Sequence, residues 1–199
     1  MLAPALGGGA GLGAIIVAGG RGSRMGGVDK ASVRVGGVRM LDRLMHHLPY
    51  GADTVVVSPH WLGTPQVCET PLYGGPAAGI AAGYRFLAAR SSASRVAVLA
   101  VDAPESPLVL PQLLVALEKA PAVEAAVAAN QGQLQPLCAL WQAEALGRAI
   151  TRLGEVHNRS ARSLLRAAGP LAVVPVGEEI RDYDTLTQLR AYEHRVTGA

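Results

Sequence analysis

The sequence predicts an α/β domain of three layers, with helices on both faces of a mostly parallel sheet. Segments of helical period alternate with short apolar strands, joined by short connections. Residues 96–101 form an almost unbroken apolar run, as a strand buried on both faces requires. Half of the 199 residues are hydrophobic and only 17% are charged, which supports one substantial core and excludes a disordered chain.

The elements follow in order. Residues 13–18 read as a first buried strand. A helix over 39–48 places Leu41, Leu44, Met45 and Leu48 on one face. Residues 54–58 are a β-branched run and give the second strand. Gly75-Pro76 opens a helix, proline suiting its first turn, with Ile80, Tyr84 and Leu87 as the buried stripe. The apolar strand 96–101 ends in Asp102-Ala103-Pro104. Pro111 starts a helix that runs to about residue 119. Residues 123–129 and 134–141 read as two strands about the turn Asn130-Gln131-Gly132. Helices over 144–153 and 160–168 precede a late strand at 171–176. Thr185 and Gln188 have capping-box spacing and mark the start of the last helix. No repeat, linker or second core interrupts the series. Residues 1–12, apolar and glycine-rich but without a basic n-region or cleavage site, are expected as a loose extension, and 13–199 as the domain.

No apolar run has the length of a membrane span. Two cysteines, Cys68 and Cys138, make no disulfide framework and no metal-ligand spacing; Cys138, in an apolar run, is expected in the core. A reducing cytoplasm is the matching compartment. The net charge of +3 and an aromatic content of 4% fit a small anionic ligand better than a nucleic-acid groove.

Chemistry concentrates in one loop, Ala18-Gly19-Gly20-Arg21-Gly22-Ser23-Arg24-Met25-Gly26-Gly27-Val28-Asp29-Lys30. It follows the first strand. Its glycines allow tight turns and close approach to a ligand, and successive amides of such a turn can hold phosphate oxygens. Arg21, Arg24 and Lys30 add full positive charge. Only two of the 18 basic residues, Lys30 and Lys119, are lysines, a hint that a compact ammonium is wanted at the end of the loop. A P-loop is excluded, because Lys30 follows Asp29 and precedes Ala31; the dinucleotide fingerprint fails for want of its third glycine. The alternative is a solvated basic loop.

Asp102 stands where the central strand stops, the edge at which such sheets bind ligands. There a carboxylate can hold Mg²⁺ together with phosphate oxygens, or it can cap the turn before Pro104. With the glycine loop beside it, the metal role is favoured. Arg21, Arg24, Lys30 and Asp102 together suggest chemistry on a nucleoside triphosphate, where positioning and charge neutralisation carry most of the work.

The run from Val17 to Lys30 resembles the L-A-G-G-x-x-x-R-M-G-G-x-D-K signature of molybdenum cofactor guanylyltransferases. Gly75-Pro76-Ala77-Ala78-Gly79-Ile80 is similar to that family's G-P-L-A-G-I/M segment, and Val101-Asp102-Ala103-Pro104 with Pro107 to its C-D-T-P-x-x-P segment. Gln135-Pro136-Leu137 and Asp182-Tyr183-Asp184-Thr185 fall where the family has a proline-containing strand and N-x-N-T-P. The resemblance spans about residues 13–193. It implies a nucleotidyltransferase domain with a Rossmann-like core that joins GMP from GTP to the terminal phosphate of molybdopterin and releases pyrophosphate. It further implies that Ala18, Gly19, Gly20, Arg21, Arg24 and Lys30 hold the triphosphate and that Gly75 borders the nucleotide. Asp102 would bind Mg²⁺, with Asp184 as a second candidate ligand. Ser58 falls where the family reads guanine with asparagine, and Glu69 or Thr70 near its base-reading aspartate. GTP and molybdopterin are the implied substrates, and a molybdoenzyme or a cofactor chaperone the downstream partner. A CTP-using transferase of the same fold and a non-catalytic nucleotide-binding protein are the other readings. Asp182 and Asp184 replace two asparagines, and Ala103 replaces a threonine near the metal; an aspartate binds Mg²⁺ more strongly than an amide but repels an anionic acceptor.

Three further features have two readings each. His46-His47, adjacent on a helix, face different ways and suit a surface role better than a shared metal. His157-Asn158-Arg159-Ser160 begins either a solvated basic face or a helix capped by Asn158, with Arg159 or Arg162 reaching an acceptor phosphate. Trp61 and Trp141 are either partly buried packing residues, the expected role, or stacking platforms.

Overall fold

The computed structural model describes residues 11–19 and 29–198. Its main sheet has seven strands: β1 (Leu12–Val17), β4 (Asp53–Val57), β5 (Gln66–Val67), β6 (Arg95–Ala100), β7 (Ala125–Asn130), β8 (Gln133–Gln142) and β9 (Leu171–Pro175). Their order is β5-β4-β1-β6-β8-β7-β9. All neighbours are parallel except β8, which runs against both β6 and β7. A small antiparallel hairpin, β2 (Arg34–Val35) and β3 (Val38–Arg39), stands apart.

The strands are apolar throughout because both faces are covered. Ala14, Ile16, Val56, Ala97 and Leu99 pack toward α1 (Met40–His47) and α3 (Leu110–Lys119). Their alternates Ile15, Val55, Val57, Val96 and Val98 pack toward α2 (Pro76–Ala88), α4 (Ala143–Leu153) and α5 (Ala161–Ala167). The three-layer, mostly parallel architecture is therefore the one the sequence predicts. Cys138 lies in the core at 3% exposure, as expected, and burial pushes its thiol up to about 12, which disfavours the thiolate.

The differences are local. β1 opens at Leu12, one residue inside the stretch expected as extension. Trp141 is fully buried, whereas Trp61 is 79% exposed, so the packing role expected for Trp61 does not hold. Tyr84 is only partly buried in the α2 stripe, whose buried face is built mainly from small residues. The hairpin and β5 have no counterpart in the sequence reading, because two-residue strands carry no periodic signal. Gly36 and Gly37 make the hairpin turn at φ +56° and +78°, a region that glycine enters without strain.

The last helix, α6 (Leu186–Thr197), begins at the expected capping box: Thr185 accepts from the Gln188 amide, and the Gln188 side chain accepts from the Thr185 amide. Its inner face closes a satellite cluster of Val35, Met40, Tyr183, Leu189 and Tyr192, tying the C-terminal segment to the hairpin. Thr185→Ala is expected to cost about 1 kcal/mol. Urea denaturation checks this; an unchanged midpoint would show that the cap contributes nothing.

Candidate active site

The site forms along the carboxyl edge of β1, β4 and β6. β1 ends at Val17, whose carbonyl accepts the Val101 amide at 3.1 Å, and the Ala18 amide donates to Val57 at 3.0 Å. These bonds place residues 18–19 between the ends of the two neighbouring strands. Asp29 caps a short 3-10 helix, Lys30–Ser32: its carboxylate accepts the Ala31 amide at 3.1 Å and the Ser32 hydroxyl at 2.7 Å. The Asp29-Lys30 pair thus has a local cause, the aspartate fixing the turn that aims the lysine.

Lys30 Nζ donates to Asp102 Oδ2 at 3.1 Å and makes a second, closer ion pair with Asp184 Oδ1. Each of the three side chains is about a quarter exposed. Burial opposes the Lys30 charge, but the hydrogen bond and fields of Asp184 and Asp102 outweigh it and raise the ammonium above its ordinary value. Burial also raises Asp102 above the ordinary carboxylate range, against the pull of Lys30 and with the repulsion of Asp184 and Asp182. Asp102 sits in a tight turn, with Ala103 N–H donating to Ala100 and Ser106 N–H to Ala103. Its own carbonyl accepts the Tyr183 amide at 2.9 Å, and this bond brings Asp184 to the same edge.

Beside this cluster a cavity of about 250 Å³ opens between β1, β4 and the start of α2, lined by Val17, Gly19, Val57, Glu69, Gly75 and Gly79. A Cβ on Gly79 would stand 3.0 Å from Val57 Cγ1 and 3.8 Å from Glu69 Oε2, so this glycine keeps the floor open. Gly75 has φ +86°, and a Cβ there would meet the Arg159 carbonyl at 3.1 Å. That carbonyl accepts the Ala77 amide at 3.1 Å, and Pro76 has no N–H, so neither of the first two residues of α2 offers an amide to a phosphate. A second cavity of about 260 Å³ lies on the other flank, lined by Asn130, Gln131, Gln135, Arg181 and Asp182 among others.

Residues 14–173 match the MobA-like NTP transferase domain. The chain belongs to this family. It is a nucleotidyltransferase. It is 28% identical to the molybdenum cofactor guanylyltransferase of Mesorhizobium japonicum, over 80% of either chain. It is 37% identical to the one of Sinorhizobium fredii, over 64% of this chain and 62% of that protein. The molybdopterin-guanine dinucleotide biosynthesis protein A of Archaeoglobus fulgidus shares the fold, with a TM-score of 0.71 at 18% identity over 94% of this chain and 100% of that one.

Within the MobA-like NTP transferase frame, Lys30, Asp102 and Asp184 meet at one point, and Gly19, Glu69 and Gly75 line one cavity. Ala18 is half-buried at the strand end. Gly20, Arg21 and Arg24 lie outside the described residues, as do residues 1–10 of the expected extension. Thr70 is exposed and, unlike Glu69, does not line the cavity. Ser58 is 1% exposed, and its hydroxyl serves the turn, accepting the His60 amide at 3.0 Å. Asn158 does not cap α5; Ser160 stands at that position, and the Asn158 amide donates to Gly74 at 2.6 Å, bracing the cavity wall. Arg162 donates to the Leu134 carbonyl at 3.3 Å. His46 and His47 meet edge-on at 5.7 Å, and no group of three or more metal-ligating side chains occurs among the described residues. Glu105, which the sequence did not single out, lies three residues after Asp102, and its carboxylate accepts from Arg195 at 2.7 Å.

Proposed function

We propose that the chain transfers GMP from GTP to the terminal phosphate of molybdopterin, with Mg²⁺, in molybdenum cofactor biosynthesis. The observation that carries this reading is the cluster of one lysine and two carboxylates beside a cavity whose lining includes a third carboxylate, Glu69. The named activity of the Mesorhizobium and Sinorhizobium relatives supports it.

The donor set fits the metal. Asp102 and Asp184 supply hard oxygen ligands at a partly open position where a cation, the Lys30 ammonium, is already held. Two carboxylates, with no third ligating side chain grouped with them among the described residues, suit Mg²⁺, which keeps waters and takes phosphate oxygens as its remaining ligands. Bound there, Mg²⁺ would supply charge neutralisation on the triphosphate.

The protein's own groups do the rest. The Glu69 carboxylate accepts from the N1–H and amino group of guanine in the cavity floored by Gly79. Lys30 turns from the carboxylates to the triphosphate and offsets the charge that builds on the leaving pyrophosphate. An oxygen of the acceptor phosphate attacks the α-phosphorus, the bond from that phosphorus to the bridging oxygen breaks, and pyrophosphate leaves with its electron pair. No protein nucleophile is needed. The acceptor approaches from the flank of the second cavity, where amide side chains and Asp182 suit the donor edge of a pterin. The setting is a reducing cytoplasm, in keeping with Cys68 and Cys138 as free thiols.

Pyrophosphate release with Mg²⁺ and molybdopterin, compared across GTP, CTP, ATP and UTP, tests the reading. Release with GTP alone, and only when molybdopterin is present, is the expected result; preference for CTP would overturn it. Glu69→Gln is expected to lower kcat/KM for GTP about 10- to 100-fold, because a charged acceptor for two donors becomes a neutral amide with one mismatched N–H. Equal loss with every nucleotide would remove Glu69 from base recognition.

A further inference from the structure

We infer that Arg195, on the outer turn of α6, is a positioning residue that clamps the Asp102 turn to the Asp184 segment and so sets the spacing of the two carboxylates about Lys30. One guanidinium nitrogen of Arg195 donates to Glu105 Oε2 at 2.7 Å and to the Tyr183 hydroxyl at 2.6 Å. Glu105 lies three residues after Asp102, at the end of the same hydrogen-bonded turn, and Tyr183 directly precedes Asp184. Glu105 and Tyr183 are 78 residues apart in the chain, yet one side chain fastens both.

The surroundings make this a built contact. Tyr183 is 3% exposed, and its ring stacks on Tyr192 at 4.3 Å with the planes 19° apart. Arg195 also lies over the Tyr192 ring at 5.1 Å, while Arg43 faces that ring at 5.6 Å. Arg43 in turn donates to the Val35 carbonyl at 2.8 Å, in the hairpin that follows the Lys30 helix. The segments bearing Lys30, Asp102 and Asp184 therefore converge on one Tyr183–Tyr192–Arg195 stack. A lysine with a single compact ammonium would lack the planar contact on Tyr192 that holds the donor in place. Arg195 touches neither carboxylate of the pair; it acts through the backbone turns that carry them.

The effect on turnover rests on the function proposed above, but the clamp itself does not, and the test separates the two. Lys30 and Lys119 are the only lysines, and Lys119 is exposed on α3, so it serves as an internal reference. Acetic anhydride labelling of the full chain, read by mass spectrometry, compares the two amines. Arg195→Ala is expected to raise labelling of Lys30 relative to Lys119 severalfold, as the carboxylates that shield it drift apart. Tyr183→Phe, which keeps the stack and removes one contact, is expected to move the ratio the same way by less, and it provides the test if Arg195→Ala does not fold. The affinity for Mn²⁺ is expected to fall about tenfold in Arg195→Ala, the usual scale for a residue supporting metal ligands. An unchanged Lys30 to Lys119 ratio in folded protein would overturn the clamp and leave α6 as a structural anchor alone. A changed ratio in a protein that binds no Mn²⁺ even as wild type would uphold the clamp and sink the metal reading.

Discussion

Lys30→Ala and Asp102→Ala are each expected to lower kcat about 10²- to 10³-fold, the scale for removing a preorganised charge from a developing one. Neither change touches the packed layers, so near-wild-type folding should accompany the loss. The two residues act as one unit, since the Lys30 ammonium rests on Asp102 before any ligand arrives. The double variant should therefore fall little below either single variant. The two singles should differ in another respect: Asp102→Ala should also lose Mn²⁺ affinity, whereas Lys30→Ala should gain it, because the cation that competes for the two carboxylates is gone. Steady-state pyrophosphate release and Mn²⁺ titration measure both. Turnover near wild type in either variant would strip that residue of its role.

Gly83→Leu should be the most damaging single change to the scaffold beneath the site. A Cβ at Gly83 would lie 2.7 Å from Ile15 Cγ2 and 3.2 Å from Val57 Cγ2, so α2 rests on β1 and β4 without room for a side chain. Overpacking of this kind costs about 1–3 kcal/mol, which for a domain of this size lowers Tm by about 2–4 °C per kcal/mol. Gly83→Ala is the informative control. Alanine recovers about 1 kcal/mol of helix propensity, which offsets part of the clash, so its net effect should be much smaller than that of leucine. Because α2 begins with Pro76 at the cavity and carries Gly79 in its floor, pushing the helix outward should also weaken GTP binding. Calorimetry and nucleotide titration report the two effects; a leucine variant with wild-type Tm would show that the contact relaxes freely.

The layers were legible because burial on both faces leaves an apolar run, and residues 96–101 could hardly be anything but a central strand. The capping box was legible because it is a local bond with a fixed spacing. Lys30 and Asp102 stood out because glycines and a strand end framed them. Asp184 was different: only the resemblance at residues 182–185 marked it, and it comes to Lys30 through a backbone bond between Tyr183 and Asp102, which no periodicity encodes. Glu69 could not be told from Thr70 until the half-exposed stretch around β5 had a direction, and β5 is two residues long. Arg195 was invisible, since its partner Glu105 is distant in sequence. Pairings across long separations are set by the fold as a whole, whereas caps and buried strands are set where they stand.

The reversed strand β8 has an evolutionary consequence. Because it runs against β6 and β7, the turn at Gln131-Gly132 opens on the same edge as Asp102, beside the second cavity. None of the residues lining the Glu69 cavity belongs to that hairpin. With the acceptor placed at the second cavity as proposed, a lineage could lengthen, shorten or recharge the β7–β8 tip and so change which acceptor is admitted, while the proposed donor half stayed as it is. On that placement, the fold separates the inheritance of the two substrates.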